Sequence, residues 1–308
     1  MKLAAVKPVS RVLAGELAVT ALLLAGVSVV VFGILYLAPG DPLNALGVRE
    51  AHGVPRTWPG QYAAWCAKVL QGDFGHSVRT GLPVLPELAR VGLNTLYLTL
   101  GALALTAAIA VPIAVHAAAR GDTPGNTAAT LAAYVLSAVP VFWFGYIVVY
   151  VFIHQFGMFP LISGTATKQQ NAWLYALVPI LVLGTASGTL SEMIRHLREE
   201  LSRVLAEDYI RTARAKGAPV WRHAFKEGFL IPVTEIMSAK IPFLLGGAVI
   251  VEQVFNWPGM GRMAWQAAQD RDFPVIMGIA LAAAAFVRLG NLAQRVVFTA
   301  VNPRASRE

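Results

Sequence analysis

Apolar residues gather in six long stretches, at about 17–38, 93–118, 127–153, 173–194, 229–252 and 275–300, with polar segments between them. Each can cross the roughly 30 Å hydrocarbon core of a bilayer, which takes about 20 helical residues. In lipid the backbone has no water to bond, so every one of these stretches must be helical. The pattern predicts an all-α, polytopic membrane protein with six transmembrane helices. Pro112, Pro140, Pro179, Pro232 and Pro242 lie inside or at the ends of the stretches, and Gly246-Gly247 adds a soft point, so kinks are expected.

Composition agrees with the pattern. Hydrophobic residues make up 56% of the 308 and charged residues 14%, against about 25% charged in soluble domains. Mean hydropathy is +0.58. Six spans leave no room for a separate catalytic domain. Lys2, Lys7 and Arg11 precede the first stretch as in a secretory signal. However, Leu17 to Ala38 exceeds the roughly 7–15 residues of a signal core and no small-x-small site follows, so an uncleaved first span is expected. Cys66 is the single cysteine, which excludes an intramolecular disulfide framework or a thiolate metal cluster.

The net charge of +8 does not point to nucleic acid, because the basic residues sit at span ends, where they set topology. Lys2, Lys7, Arg11, Arg120, Arg304 and Arg307 share a side with Arg195, Arg198, Arg203, Arg211, Arg214, Lys216, Arg222 and Lys226. That side is expected to be cytoplasmic, with both termini and the 195–228 loop. Segments 39–92, 154–172 and 253–274 then face outward. The chain divides into 1–38 (N-terminus and first helix), 39–92 (an extracytoplasmic segment) and 93–308 (a five-helix core carrying the 195–228 loop). Trp58, Tyr62 and Trp65 in the outer segment suit either an interfacial aromatic belt or a docking surface.

Within the polar loop, Leu201, Leu205, Tyr209 and Ala213 recur every fourth position, which predicts one helix over 199–216. Gly217 can take a left-handed cap and Pro219 prevents continuation. A second short helix is expected from Val220 toward Ile231-Pro232. Small residues Ala213, Ala215 and Gly217 at the tip suit insertion into a partner's groove, while the basic residues suit a hairpin lying on anionic lipid.

At Asp208-Tyr209-Ile210-Arg211-Thr212-Ala213-Arg214-Ala215-Lys216-Gly217, followed by Ile231-Pro232, the loop resembles the ATPase-coupling motif of the dipeptide, oligopeptide and nickel branch of ATP-binding-cassette importers. Further segments are similar to that branch: Leu37-Ala38-Pro39-Gly40-Asp41-Pro42, Gly72-Asp73-Phe74-Gly75-His76-Ser77-Val78-Arg79, Glu252-Gln253-Val254-Phe255-Asn256-Trp257-Pro258-Gly259-Met260-Gly261 and Asn302-Pro303-Arg304. Arg211, Thr212 and Ala213 stand where the wider importer pattern has Glu-Ala-Ala. The interval from Gly217 to Pro232 is a few residues short of the branch's usual length.

The resemblance, closest to the dipeptide permease B type, implies a type I importer permease fold in a bacterial inner membrane. It implies ATPase coupling through the 203–217 helix by Glu207, Asp208, Tyr209, Arg211, Thr212, Ala213, Ala215, Lys216 and Gly217. Phe255, Trp257, Pro258, Gly259 and Gly261 are implied as an extracytoplasmic gate or binding-protein contact. The implied partners are a second homologous permease, two cytoplasmic ATPase subunits or domains and an extracytoplasmic substrate-binding protein. Peptides are the implied substrate, with nickel chelates or another small solute as the alternative.

The chain has no phosphate-binding Gly-x4-Gly-Lys-Ser/Thr loop, so ATP and magnesium belong on partner subunits. It also lacks a His-Glu-x-x-His helix and a Gly-x-Ser-x-Gly elbow, which argues against an enzyme. Glu235, Lys240, Glu252 and Arg288 fall inside spans, where charge facing lipid is costly. Glu235, Lys240 and Glu252 are candidates for the translocation path; the alternative is interhelical pairing that fixes packing. An ATP-independent channel or secondary carrier is the rival class.

Overall fold

The computed structural model describes residues 9–37, 57–121, 123–156, 172–221 and 229–301. The described residues form helices α1 (Val9–Leu37), α2 (Trp58–Leu70), α3 (Val84–Arg120), α4 (Pro124–Ala138), α5 (Val141–Phe156), α6 (Ala172–Ala186), α7 (Thr189–Leu205), α8 (Asp208–Ala215), α9 (Ile231–Val254), α10 (Met260–Asp270) and α11 (Phe273–Val301). The expected all-α class holds. Three of these helices, α1, α3 and α11, are long and apolar enough to cross a bilayer, and the number rises to six if each bent pair is one span.

The bends are larger than kinks. The stretch 127–153 divides into α4 and α5 at 98°, and the stretch 173–194 divides into α6 and α7 at 56°. At the first break Pro140 has no N–H to continue the ladder, and Val139 bonds back to the Leu136 carbonyl at 3.3 Å. At the second, Gly188 enters the left-handed region at φ 77° and caps α7. Between Gly246 and Ala248, α9 bends by 44°.

The chain forms two compact units. One contains Tyr97–Trp257 and the stretch from Gly290 onward. In it α9 packs against α5, α6 and α7, and α4 against α6 and α7. Its core joins Leu98 and Ala102 of α3, Leu183 of α6, Met193, Ile194 and Leu197 of α7, and Leu244 and Val251 of α9. Association inside a bilayer depends on close packing because lipid is as apolar as leucine. Gly184 shows this: a Cβ there would lie 2.9 Å from the Ala102 carbonyl oxygen. Thr106 Oγ1 is 2.8 Å from both the Ala102 and Gly184 carbonyl oxygens, so its hydroxyl serves one or the other.

The second unit contains Pro8–Leu96 and Pro258–Leu289. Phe32 of α1 is buried among Trp58, Tyr62 and Trp65 of α2, with ring centroids 5.4–6.0 Å away. Ser28 Oγ and the Tyr62 hydroxyl are 2.7 Å apart, and burial pushes the phenol above its ordinary pKa. In this unit the α2 aromatics cover Phe32 of α1.

Candidate functional site

Polar helix α8 carries most of the residues expected to couple to an ATPase. The predicted single helix over 199–216 is corrected by the structure: α7 ends at Leu205, and α8 begins anew at Asp208. Of the period-four stripe, Leu201 and Ala213 are buried and Leu205 is partly so, while Tyr209 is exposed. Ile210, not Tyr209, is buried, and it clusters with Val204, Leu205 and Val220. A two-residue turn resets the helical phase, so a spacing that ignores it places Tyr209 on the wrong face.

Only Ile210 and Ala213 of α8 are buried. Glu207, Asp208, Tyr209, Arg211, Thr212, Arg214, Ala215, Lys216 and Gly217 are exposed. The helix end follows the predicted chemistry. Gly217 takes φ 68°, its N–H donates to the Arg214 carbonyl at 3.1 Å, and Ala218 N–H donates to the Ala213 carbonyl at 2.9 Å. These two bonds make a Schellman cap, in which glycine avoids the cost of the left-handed conformation. Thr212 Oγ1 donates to the Asp208 carbonyl at 2.9 Å, holding the first turn. Val220 and Trp221 begin a helical turn, and the rest of the expected second helix, 222–228, lies outside the described residues.

Motif Glu252 to Gly261 crosses from one unit to the other. In the first unit, Trp257 N–H donates to the Glu252 carbonyl at 2.8 Å and Asn256 N–H to that of Gln253 at 3.3 Å, with Asn256 at φ 52°. α9 is thus closed by the same cap as α8. Phe255 and Trp257 are buried, and Trp257 stacks on Tyr97 at 6.2 Å between centroids. Both rings are therefore covered by this chain's own core. In the second unit, Met260 N–H, an orphan donor at the start of α10, is taken by Thr95 Oγ1 at 2.7 Å, and Asn94 Nδ2 donates to the Pro258 carbonyl at 2.8 Å. Gly261 is buried in α10.

Pro258 and Gly259 line a polar cavity of about 220 Å³ together with Arg79, Arg90, Arg262 and Asp272. The Gly72 to Arg79 motif forms one wall. Gly72, at φ 83°, ends α2, Asp73 Oδ1 accepts from Gly75 N–H at 2.8 Å, and Ser77 Oγ donates to the buried Asp272 at 2.5 Å. Arg79 meets Asp270 at 3.2 Å. Two motifs nearly 200 residues apart in sequence thus build one pocket, which spacing alone did not reveal.

Of the three span charges expected on a path, each has a different setting. Lys240 Nζ on α9 donates to Glu192 on α7, which also faces His196 at 3.8 Å. Glu252 is fully buried. Glu235 is exposed. Residues Ala38–Pro42 and Asn302–Arg304, from the other quoted motifs, lie outside the described residues.

Comparison with known proteins is consistent with these features. Residues 85–307 match the family model described as "Binding-protein-dependent transport system inner membrane component". The chain is 36% identical over 303 residues to the oligopeptide transport system permease protein AppB of Bacillus subtilis (strain 168), covering 92% of this chain and 95% of the relative. It is 33% identical over 293 residues to the glutathione transport system permease protein GsiC of Escherichia coli (strain K12), covering 90% and 92%.

Proposed function

The chain belongs to the binding-protein-dependent transport system inner membrane components, permease subunits of ATP-binding-cassette importers, and on that premise we propose that its importer carries peptides. Two relatives bear the names of an oligopeptide and a glutathione permease, and both solutes are short amide-linked chains with charged ends. In this reading the chain forms half of the translocation path beside a second homologous permease. Two ATPase subunits or domains hold ATP and magnesium on the cytoplasmic side, with both termini and α8. A substrate-binding protein delivers peptide from outside.

The observation that carries the coupling role is the asymmetry of α8. Two buried side chains, Ile210 and Ala213, fix it to the chain, and its other face is open. An eight-residue helix held so narrowly is marginal alone and takes its order from what it packs on. ATPase closure displaces α8, and the Val204–Ile210 contact passes that displacement to α7. α7 packs on α6 and α9, so the motion reaches the bent spans. Small Ala215 and Gly217 let an ATPase groove approach the backbone closely.

The test is composition followed by transport. Tagged chain expressed with its partners is purified, and the complex is reconstituted with the external binding protein. ATPase subunits and a second permease are expected in the complex, with accumulation of a labelled short peptide that requires ATP on the α8 side. A homo-oligomer lacking ATPases, or ATP-independent flux, would overturn the reading.

A further inference from the structure

Helix α7 has the form of a lever with one soft end. Gly188, left-handed at φ 77°, separates it from α6, and at its other end Leu205 leads through a short turn into α8. At 1.5 Å per residue, Leu205 lies about 26 Å along the axis from Gly188 and Glu192 about 6 Å. A swing of α7 about Gly188 therefore moves the α8 end roughly four times as far as Glu192. A large displacement beside α8 becomes a small one beside the break.

At that short arm Glu192 meets α9. Its Oε2 accepts from Lys240 Nζ, and its Oε1 faces His196 Nε2 at 3.8 Å. The Lys240 side chain is 14% exposed, and an ammonium so placed inside a span is costly to part from a counter-charge. The packing around the pair is apolar: Ile236, Met237 and Ile241, on either side of Lys240, lie against the core that holds Met193, Ile194 and Leu197 of α7. Apolar burial is non-directional, so it holds two helices together without fixing how far one slides or rolls along the other. The ion pair adds that direction.

Lys240 also stands just before the soft part of α9. Pro242, inside the helix, lacks the N–H that would bond the Ser238 carbonyl, and the 44° bend follows between Gly246 and Ala248. A force applied at Lys240 thus reaches the segment that leads into the bend.

Building on the importer reading, we propose that Glu192 and Lys240 are positioning residues for coupling, a pivot that stays closed through the transport cycle and converts the swing of α7 into a movement of α9. Of the span charges expected on a path, this gives Lys240 a mechanical role.

Glu192→Cys combined with Lys240→Cys in a Cys66→Ser background tests it, in the full complex reconstituted with its binding protein. Removing both charges together avoids stranding either one. Uptake of labelled peptide per ATP hydrolysed should fall at least about fivefold, with subunit composition unchanged and ATP hydrolysis within about twofold of the Cys66→Ser complex. Bridging the two thiols with a short bifunctional reagent should restore most of the lost ratio, because a closed pivot needs a tie and not a charge. Should the double variant fail to assemble, Glu192→Asp keeps the charge, shortens its reach by one methylene and should lower the same ratio. An unchanged ratio, a loss of uptake in proportion to hydrolysis, or a bridge that leaves uptake abolished would overturn the pivot. ATP-driven uptake by the Cys66→Ser complex would show that the importer reading survives that failure.

Discussion

Arg288 Nη2 donates to Glu16 Oε2 at 2.8 Å, joining α11 to α1 across 272 positions of sequence. Arg288 Nε also donates to Thr20 Oγ1 at 3.2 Å. Both charged side chains are largely buried, at 14% and 7% exposure, so neither faces lipid. Removing one member of such a pair strands the other's charge. Arg288→Met or Glu16→Gln alone should cost about 3–5 kcal/mol, read as a lower melting temperature of the purified complex. Glu16→Leu combined with Arg288→Met should recover most of that loss.

Ser77 and Asp272 hold the loop after α2 against the start of α11. Ser77→Ala leaves the buried carboxylate without its 2.5 Å donor, at a cost of about 1.5–3 kcal/mol for a bond to a charged group. Thermal unfolding monitored by tryptophan fluorescence should register the loss. A neutral effect would mean that the Arg79 N–H contact at 3.3 Å suffices.

Two glycines in the same unit should respond oppositely to one methyl group. Gly184→Ala drives a Cβ against the Ala102 carbonyl, and overpacking of this kind costs about 1–3 kcal/mol. Gly246→Ala meets open space and gains roughly 1 kcal/mol of helix propensity. Melting temperatures of the two variants should therefore move in different directions.

Gly217→Val tests the cap of α8. A β-branched residue at φ 68° costs about 1–2 kcal/mol or more in the left-handed region. The cost falls on an exposed turn, so abundance in the membrane should be nearly unchanged while ATP-driven uptake falls several-fold. Equal losses of abundance and uptake would assign Gly217 to folding alone.

The spans were legible because lipid allows so few backbone solutions: long apolar runs become helices. The Gly217 cap was legible for a local reason, since glycine followed by proline two residues on stops a helix whatever surrounds it. The breaks were less legible. Pro140 signals a weak point, but whether the chain kinks or turns by 98° depends on what α4 and α5 pack against. Charge partners were invisible for the same reason. Lys240 was visible as a costly charge, yet its answer, Glu192, lies 48 residues earlier on another helix. Trp257 sits in a motif of turn residues and looks available for contact until Tyr97 is found stacked on it. The exposure of Tyr209 was not legible, because a two-residue turn, 206–207, shifts the phase that the leucine spacing assumes.

The central claim is that α8 is the seat of an ATPase. Cysteine placed at Thr212 or Ala215, both exposed, in a Cys66→Ser chain carrying its partners, should form a crosslink to an ATPase subunit with a short bifunctional thiol reagent. The yield should change when ATP with vanadate traps the closed state. A complex that contains the ATPases yet gives no such adduct from either position, in either state, would contradict the account.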